Sequence, residues 1–335
     1  MKQAKHTISK LSAVDQNQTL ANGAILVDDF DRMIFDEVLR RYPMWNVIEK
    51  RLAPGDFTNG FDQTAVAAAR AANKRSMAYS ATSPTRVART PQEVKAIVND
   101  LTLGMYDRSV YQQQGRRFGD LTAKDVRDAI VSCLREWARQ FHLGDDDSDA
   151  LEYNGWREQL SNSEALVTVA QETSVVKTIQ ERIVTMMNST ARDVRPTFIN
   201  CNARVRQIIA QELRLAGDKL IIESLPGVGE RVPFLDTAAG SLPLIVDPWN
   251  TVLTGDSAVD KYPTLIGSGD YISWQYVEPL GESGAEPKTF EIVMNNVLDS
   301  QFKTVMFGTL EMLGGTNHHK RLDIEDRSVV VNPTS

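Results

Sequence analysis

Apolar positions recur at three- and four-residue steps through residues 123–143, placing Val126, Ile130, Cys133, Leu134, Trp137, Ala138 and Phe141 on one stripe. The spacing predicts an amphipathic helix over Ala123–Leu143, opened by Thr122 with Asp125 in the manner of a capping box and ended by Gly144. At 1.5 Å per residue it runs about 30 Å, the strongest helical signal in the chain. A shorter pattern, DDFDRMIFDEVLRR over Asp28–Arg41, puts Phe30, Met33, Ile34, Val38 and Leu39 on one face, acid first and base last, with Pro43 as its limit. Beyond the acidic run Asp145, Asp146, Asp147 and Asp149, which marks an exposed loop, the texture alternates. Ser174–Asn188 reads as a helix with Val175, Val176, Ile179, Ile183 and Met187 inward, and Thr197–Ile199 as a strand. Asn202 caps a helix through Ala216 that Gly217 stops, and Lys219–Glu223 and Leu242–Val246 are further strands. Such order indicates a compact α/β domain. From Tyr271 onward YISWQYVEPL, KTFEIVMNN and FKTVMFGTLEML read as three antiparallel strands that return to pack on the long helix.

Two stretches break this regularity. Residues 1–24 are polar and aperiodic, an extended or disordered arm. Residues 51–90 carry Arg51, Arg70, Lys74, Arg75, Arg86 and Arg89 against only Asp56 and Asp62, a net charge of +4 inside a chain of 335 residues whose net charge is −7. Their large apolar residues are Leu52, Phe57, Phe61, Val66, Met77, Tyr79 and Val87, too few to offset the backbone entropy of ordering the segment. Either it is disordered, or contacts from outside it, such as a neighbouring subunit, supply what it lacks. Lys95–Gln114 then reads as a strand leading into a polar turn.

A composition of 42% hydrophobic and 24% charged residues suits a soluble globular protein of about two domains. No apolar run has the length of a signal peptide or a membrane span, which points to a protein made and used in cytoplasm. The overall acidity argues against a chain whose main task is coating nucleic acid. Cys133 and Cys201 are too few for a disulfide framework, show no metal spacing, and read as small buried apolar residues.

Candidate catalytic and metal patterns fail on inspection. Asp145, Asp147 and Asp149 match the first ligands of a calcium loop, but Ala150 and Trp156 stand where glycine and glutamate are needed. Ser174-Val175-Val176-Lys177 has acylation spacing without partner motifs, so Ser174 is read as a helix cap. His318-His319 has only His6 and His142 for company and is read as a solvated turn. Gly227-Val228-Gly229 and Gly267-Ser268-Gly269 lack the third glycine of a dinucleotide loop, and Cys201 lacks a histidine. No catalytic constellation, cofactor site or metal site emerges.

The order of parts resembles the major capsid protein of tailed bacteriophages, the Hong Kong 97 fold. Local phrases carry the likeness: LTAKDVRDAI at the long-helix entry, LEYNGWREQL at 151–160, RPTFINCNARVRQI at 195–208 and SLPLIVDPWN at 241–250. The resemblance implies an α+β Hong Kong 97-like fold. Its expected parts are an N-terminal arm (1–27), a short helix region (28–49), an extended β-hairpin loop (50–108), a peripheral domain (109–189 and 262–335) with spine helix 122–143, and an axial α/β domain (190–261). It further implies a non-enzymatic shell subunit forming hexamers and pentamers of an icosahedral phage head around double-stranded DNA, located in the virion and assembled in host cytoplasm.

On that reading Arg70, Lys74, Arg75, Arg86 and Arg89 of the loop pair with acidic patches on neighbours. The short arm leaves little room for a fused scaffolding domain, so the expected partners are other copies of the chain, a separate scaffolding protein, a portal, a decoration protein and loosely held DNA, with no membrane and no cofactor. An encapsulin-like cargo compartment is the near alternative. A soluble α/β enzyme, with 51–90 as lid and 195–250 as substrate domain, is the alternative from another class.

Overall fold

The computed structural model describes residues 42–58, 60–65, 85–104, 109–111, 121–162, 165–188, 194–218, 220–224, 231–253, 259–293 and 300–326. The arm over 1–27 and the helix expected over Asp28–Arg41 lie outside them. In chain order come helix α1 (Pro43–Val47), strands β1 (Glu49–Leu52), β2 (Phe57–Thr58), β3 (Phe61–Ala65), β4 (Thr85–Ala88), β5 (Gln92–Glu93) and β6 (Lys95–Leu103), and the long helix α2 (Leu121–Leu143). Then follow α3 (Trp156–Gln159), β7 (Leu166–Val169), α4 (Val175–Met187), β8 (Phe198–Cys201), α5 (Ala203–Leu215), β9 (Ile221–Ser224), β10 (Arg231–Thr237), β11 (Gly240–Val246) and β12 (Lys261–Gly267). The chain closes with β13 (Ile272–Val277), β14 (Lys288–Val293), β15 (Ser300–Met312), α6 (Gly315–His318) and β16 (Lys320–Glu325). Among the described residues no helix is long and apolar enough to cross a membrane.

The chain divides into two units, one holding 1–40, 97–135 and 286–306, the other 41–96, 136–285 and 307–335. In the first unit β14 and β15 pair antiparallel, Lys288 opposite Val305 and Val293 opposite Ser300, and β6 also pairs with β15. The N-terminal part of α2 packs on these strands: the buried Cys133 thiol points at Thr304 O (3.8 Å) and Asn99 Nδ2 donates to Ser132 Oγ (3.2 Å). The antiparallel strands expected to return onto the long helix are therefore present, and Cys133 is a packing residue whose thiol burial pushes up to about 11.

In the second unit a seven-stranded mixed sheet runs β7-β16-β12-β8-β11-β10-β9. Its centre is β8, buried at all four positions, parallel to β11 and antiparallel to β12. Helices α4 and α5 share one apolar core with these strands, in which Ile179, Ile183, Val205, Ile209, Leu244 and Ile266 are fully enclosed. The inward stripe of α4 ends on Met186 and not, as its spacing suggested, on Met187, which is half-buried. Three steps beyond Ile183 keep residue 186 on the buried face, whereas 187 rotates toward its edge. A second, aromatic core forms where the C-terminal turns of α2 meet β13: Trp137 stacks with Phe141 (5.4 Å) and meets Trp274 and Trp45 edge-on (6.0 and 4.9 Å). Gly144 ends α2 by close approach, since a Cβ there would lie 2.1 Å from Tyr153 O.

The two helices of the α/β layer are capped by side chains. Asn202 Oδ1 accepts from Arg204 N (2.9 Å). Ser174 Oγ accepts from Lys177 N (3.3 Å) and donates to Glu212 of α5, whose carboxylate also accepts from Val175 N and Val176 N (both 3.0 Å). Glu212, almost fully buried, thus satisfies two otherwise orphaned amides and faces the positive end of α4. Glu212→Ala is expected to lower the unfolding free energy by about 2–4 kcal/mol and Ser174→Ala by about 1 kcal/mol, read from chemical denaturation of the purified protein.

Candidate functional site

The basic, core-poor segment begins on a sheet edge. Strand β1 runs parallel to β13, Glu49 opposite Ser273 and Leu52 opposite Tyr276, and Ala53 N donates to Tyr276 O (2.7 Å). The chain then leaves the sheet as a ribbon: β2 pairs antiparallel with β5, and β3 with β4, Phe61 opposite Ala88 and Gln63 opposite Arg86. Two strands are too few to bury a face. Phe57 and Phe61 accordingly stand 47% and 70% exposed, and Leu52, at the end of β1, 60%.

Charged contacts fix the base of this ribbon to its own sheet. Arg89 Nη1 donates to Glu311 Oε1 (2.5 Å), and Glu311 Oε2 accepts from Gln275 Nε2 (2.8 Å), the acid lying on β15 and the amide on its neighbour β13. Arg89 N donates to Gly60 O (2.9 Å), and the guanidinium lies so close over Gly60 that a Cβ there would collide with it. Arg51 Nη2 reaches Glu49 (2.5 Å) and Asp270 O (3.4 Å), and the Arg51 guanidinium holds the Glu49 carboxyl below the usual range. Of the five cations expected to reach neighbours, Arg89 is thus bonded within its own chain, Arg86 is exposed on the ribbon, and Arg70, Lys74 and Arg75 lie outside the described residues.

Behind the ribbon's anchor, the second unit holds a buried polar cluster that sequence reading passed over. His142, at the end of α2, is fully buried between Trp156 and Asp247. The Trp156 indole can only donate, so its 2.8 Å bond to His142 Nδ1 leaves the imidazole proton on Nε2, which donates to Asp247 Oδ2 at 3.0 Å. Asn250 donates through Nδ2 to Asn200 Oδ1 (3.2 Å) and Pro263 O (2.8 Å), and accepts at Oδ1 from Arg157 Nη2 (2.6 Å). Asn202 Nδ2 bonds Asn250 O (2.6 Å), Arg157 Nη2 bonds Thr251 O (2.7 Å), and Arg321 Nη1 bonds Arg157 O (2.8 Å). Burial, reinforced by the charge of Arg321, lowers the Arg157 guanidinium to about 10. The signal was present as polar residues set among apolar ones in LEYNGWREQL, RPTFINCNARVRQI and SLPLIVDPWN, but only the fold brings the three phrases together.

The remaining candidates fall to structural roles. Cys201 is fully buried and its thiol is pushed up to about 12, and Ser174 is a cap. Asp145 accepts from Asp147 N (3.0 Å) and from Ser148 Oγ (2.6 Å), closing its own turn. The reading of His318-His319 as a solvated turn is corrected: both are fully buried, His318 lying against the Tyr271 ring (4.0 Å between centroids) and His319 Nε2 bonding Tyr271 O (3.2 Å). The turn joins two strands of the interior, so polar composition alone did not predict its exposure.

Burial lowers the affinity of His142 for a proton, and that of His319 to about 3, both from an ordinary value of 6.5. The unfolded chain therefore takes up protons first as pH falls. The contribution of these two histidines to stability is fully present above pH 6.5 and is lost below it, by at most about 1.4 kcal/mol per pH unit for each, until the folded form titrates. Denaturation of the purified protein from pH 7.5 to 4 is expected to show this decline, shallower in His319→Asn.

By sequence, the chain matches no protein-family model and no curated protein. By structure, it is similar to the holo-SrpI encapsulin complex of Synechococcus elongatus PCC 7942, at 13% identity and a TM-score of 0.60 over 87% of this chain and 91% of that one. It is also similar to the cyanophage A-1(L) capsid (10% identity, TM-score 0.59, 91% and 98% covered) and to the capsid of a native GTA particle (11% identity, TM-score 0.57, 93% and 100% covered). The chain has the Hong Kong 97-like fold.

Proposed function

We propose that the chain is a major capsid protein, a structural subunit whose copies associate as hexamers and pentamers into an icosahedral phage head around double-stranded DNA. The observation that carries this reading is the anchored ribbon: its base is bonded to β13 and β15, Leu52 stands exposed where the chain leaves the sheet, and the ribbon strands expose Phe57, Phe61 and Arg86. A lone two-stranded ribbon is marginal in water, and a segment held so firmly at one end and so poorly along its length suits contacts made by another subunit. Similarity to viral and GTA shells across nearly the full length of the chain supports the same conclusion.

The work done is assembly, not chemical turnover. The polar cluster and the two cores make a rigid unit, and the loop cations Arg70, Lys74, Arg75 and Arg86 set register and encounter rate between copies more than net affinity. Counterions and polyamines neutralise the genome, so a net charge of −7 is compatible with an enclosed duplex. A separate scaffolding protein, a portal and a decoration protein complete this scheme, with the product in the virion. The encapsulin reading is the second one, favoured by the 0.60 TM-score to an encapsulin shell.

Negative-stain microscopy of the expressed protein, with and without co-expressed phage proteins, is expected to show closed shells. Nuclease-protected DNA inside them supports the phage head, and a co-purified enzyme cargo without DNA supports the compartment. A sharp monomer under varied salt, at concentrations where shells normally form, removes both.

A further inference from the structure

In the second unit, helix α5 and the strands β9 and β10 enclose a groove of about 500 Å³. Arg206, Ala210 and Arg214 line it from α5, and Leu220, Ile222 and Pro233 from the sheet side, Ile222 and Pro233 standing directly opposite each other in register. The two arginines are exposed and lie about 12 Å apart along the helix axis. Among the described residues neither guanidinium makes a hydrogen bond or an ion pair. Two arginines against Asp218 leave the lining cationic, while Ile222 is 57% exposed. Such a lining suits an acidic segment that also brings an apolar side chain; a phosphate backbone has nothing to cover Ile222 with.

A turn of the same unit has that chemistry. Residues 145–151, between α2 and α3, carry Asp145, Asp146, Asp147 and Asp149, no cation, and Leu151, which is 78% exposed. Carboxylate oxygens of Asp145, Asp146 and Asp147 lie within 4.8 Å of one another, a repulsion that an arriving guanidinium relieves. Asp149 Oδ1 accepts from Leu151 N (3.0 Å), so the turn is formed before any partner meets it. Groove and turn lie on opposite faces of one sheet. In β8, Ile199 and Cys201 join the core beneath α4 and α5, whereas Asn200 turns to the other face and meets Asn250, which is bonded to Arg157 of α3. A molecule therefore does not fill its own groove.

We propose that the groove between α5 and β9–β10 receives the 145–151 turn of a second copy of this chain, with Leu151 covering Ile222 and Leu220, and Asp146 and Asp147 bonding Arg206 and Arg214. The inference rests on the shell reading and adds one pair of surfaces that joins its subunits. Because the two surfaces differ, the contact is head-to-tail, and repeated by a rotation it closes into a ring, as hexamers and pentamers require.

Cross-linking of assembled shells tests it. Copies with Ile222→Cys and copies with Leu151→Cys are mixed, assembled and treated with a short bismaleimide, which spares the buried Cys133 and Cys201. A linked dimer is expected from the mixture and not from either variant alone, and a chain carrying both substitutions is expected to give a ladder ending at pentamer and hexamer. In parallel, Arg206→Glu with Arg214→Glu is expected to raise the concentration needed for assembly at least about tenfold, because like charges then face each other. Asp146→Lys with Asp147→Lys should do the same, and the four substitutions together should restore assembly. None of the four positions is buried, so the circular dichroism of each variant is expected to match that of the unaltered chain. Shells whose mixed copies yield no link overturn the contact and leave the shell reading intact, as does unchanged assembly of the Arg206→Glu, Arg214→Glu variant. If the cysteine variants form no shells, the charge reversals decide: loss without restoration by the four substitutions overturns the contact. Failure of the unaltered chain to form shells overturns the shell reading and, with it, this one.

Discussion

The buried bond between His142 and Asp247 is the constraint around which the second unit is arranged. A neutral imidazole with its proton fixed on Nε2 is tolerated in a dry interior only because Trp156 donates to one nitrogen and Asp247 accepts from the other. Those two bonds fix the end of α2, the α3 segment and the exit of β11 relative to one another. Asn250, three residues past Asp247, extends the lock to β8 and β12, and Arg157 and Arg321 extend it to β16. An apolar core alone accepts many small slips. A network in which His142 has two partners and the Asn250 side chain three accepts few, because a slip breaks several buried hydrogen bonds at once.

That rigidity matters for the ribbon. β13 pairs with β1 on one side and β15 on the other, and its Gln275 shares Glu311 with Arg89. The aromatic contacts of Trp137 and Tyr153 with Trp274 hold the same strand from beneath. The ribbon therefore leaves the sheet beside a strand that is paired on both edges and packed from beneath.

Much of this was legible beforehand. The α2 stripe, the caps at Ser174 and Asn202, the stop at Gly217 and the antiparallel return of residues 288–312 follow from spacing and backbone preference, which act over a few residues. The inability of residues 51–90 to fold alone was also readable, as a shortage of large apolar side chains. The site was only partly legible. Arg89 reads as one more loop cation until Glu311, 222 positions later, is brought within 2.5 Å of it.

The sequence by itself determined the element types, the inward faces of the helices and the scarcity of large apolar residues over 51–90, because each depends on local periodicity or on composition. Only the tertiary structure decided which polar residues are buried together. His142 and His319 look alike as letters, and so do Asp247 and the exposed Asp147. The protonation of the two histidines and the burial of all four depend on residues distant in sequence, which no local pattern records. The ribbon's shortage of apolar side chains was written in the chain, whereas its fixed base exists only once Arg89 and Glu311, far apart in sequence, have met.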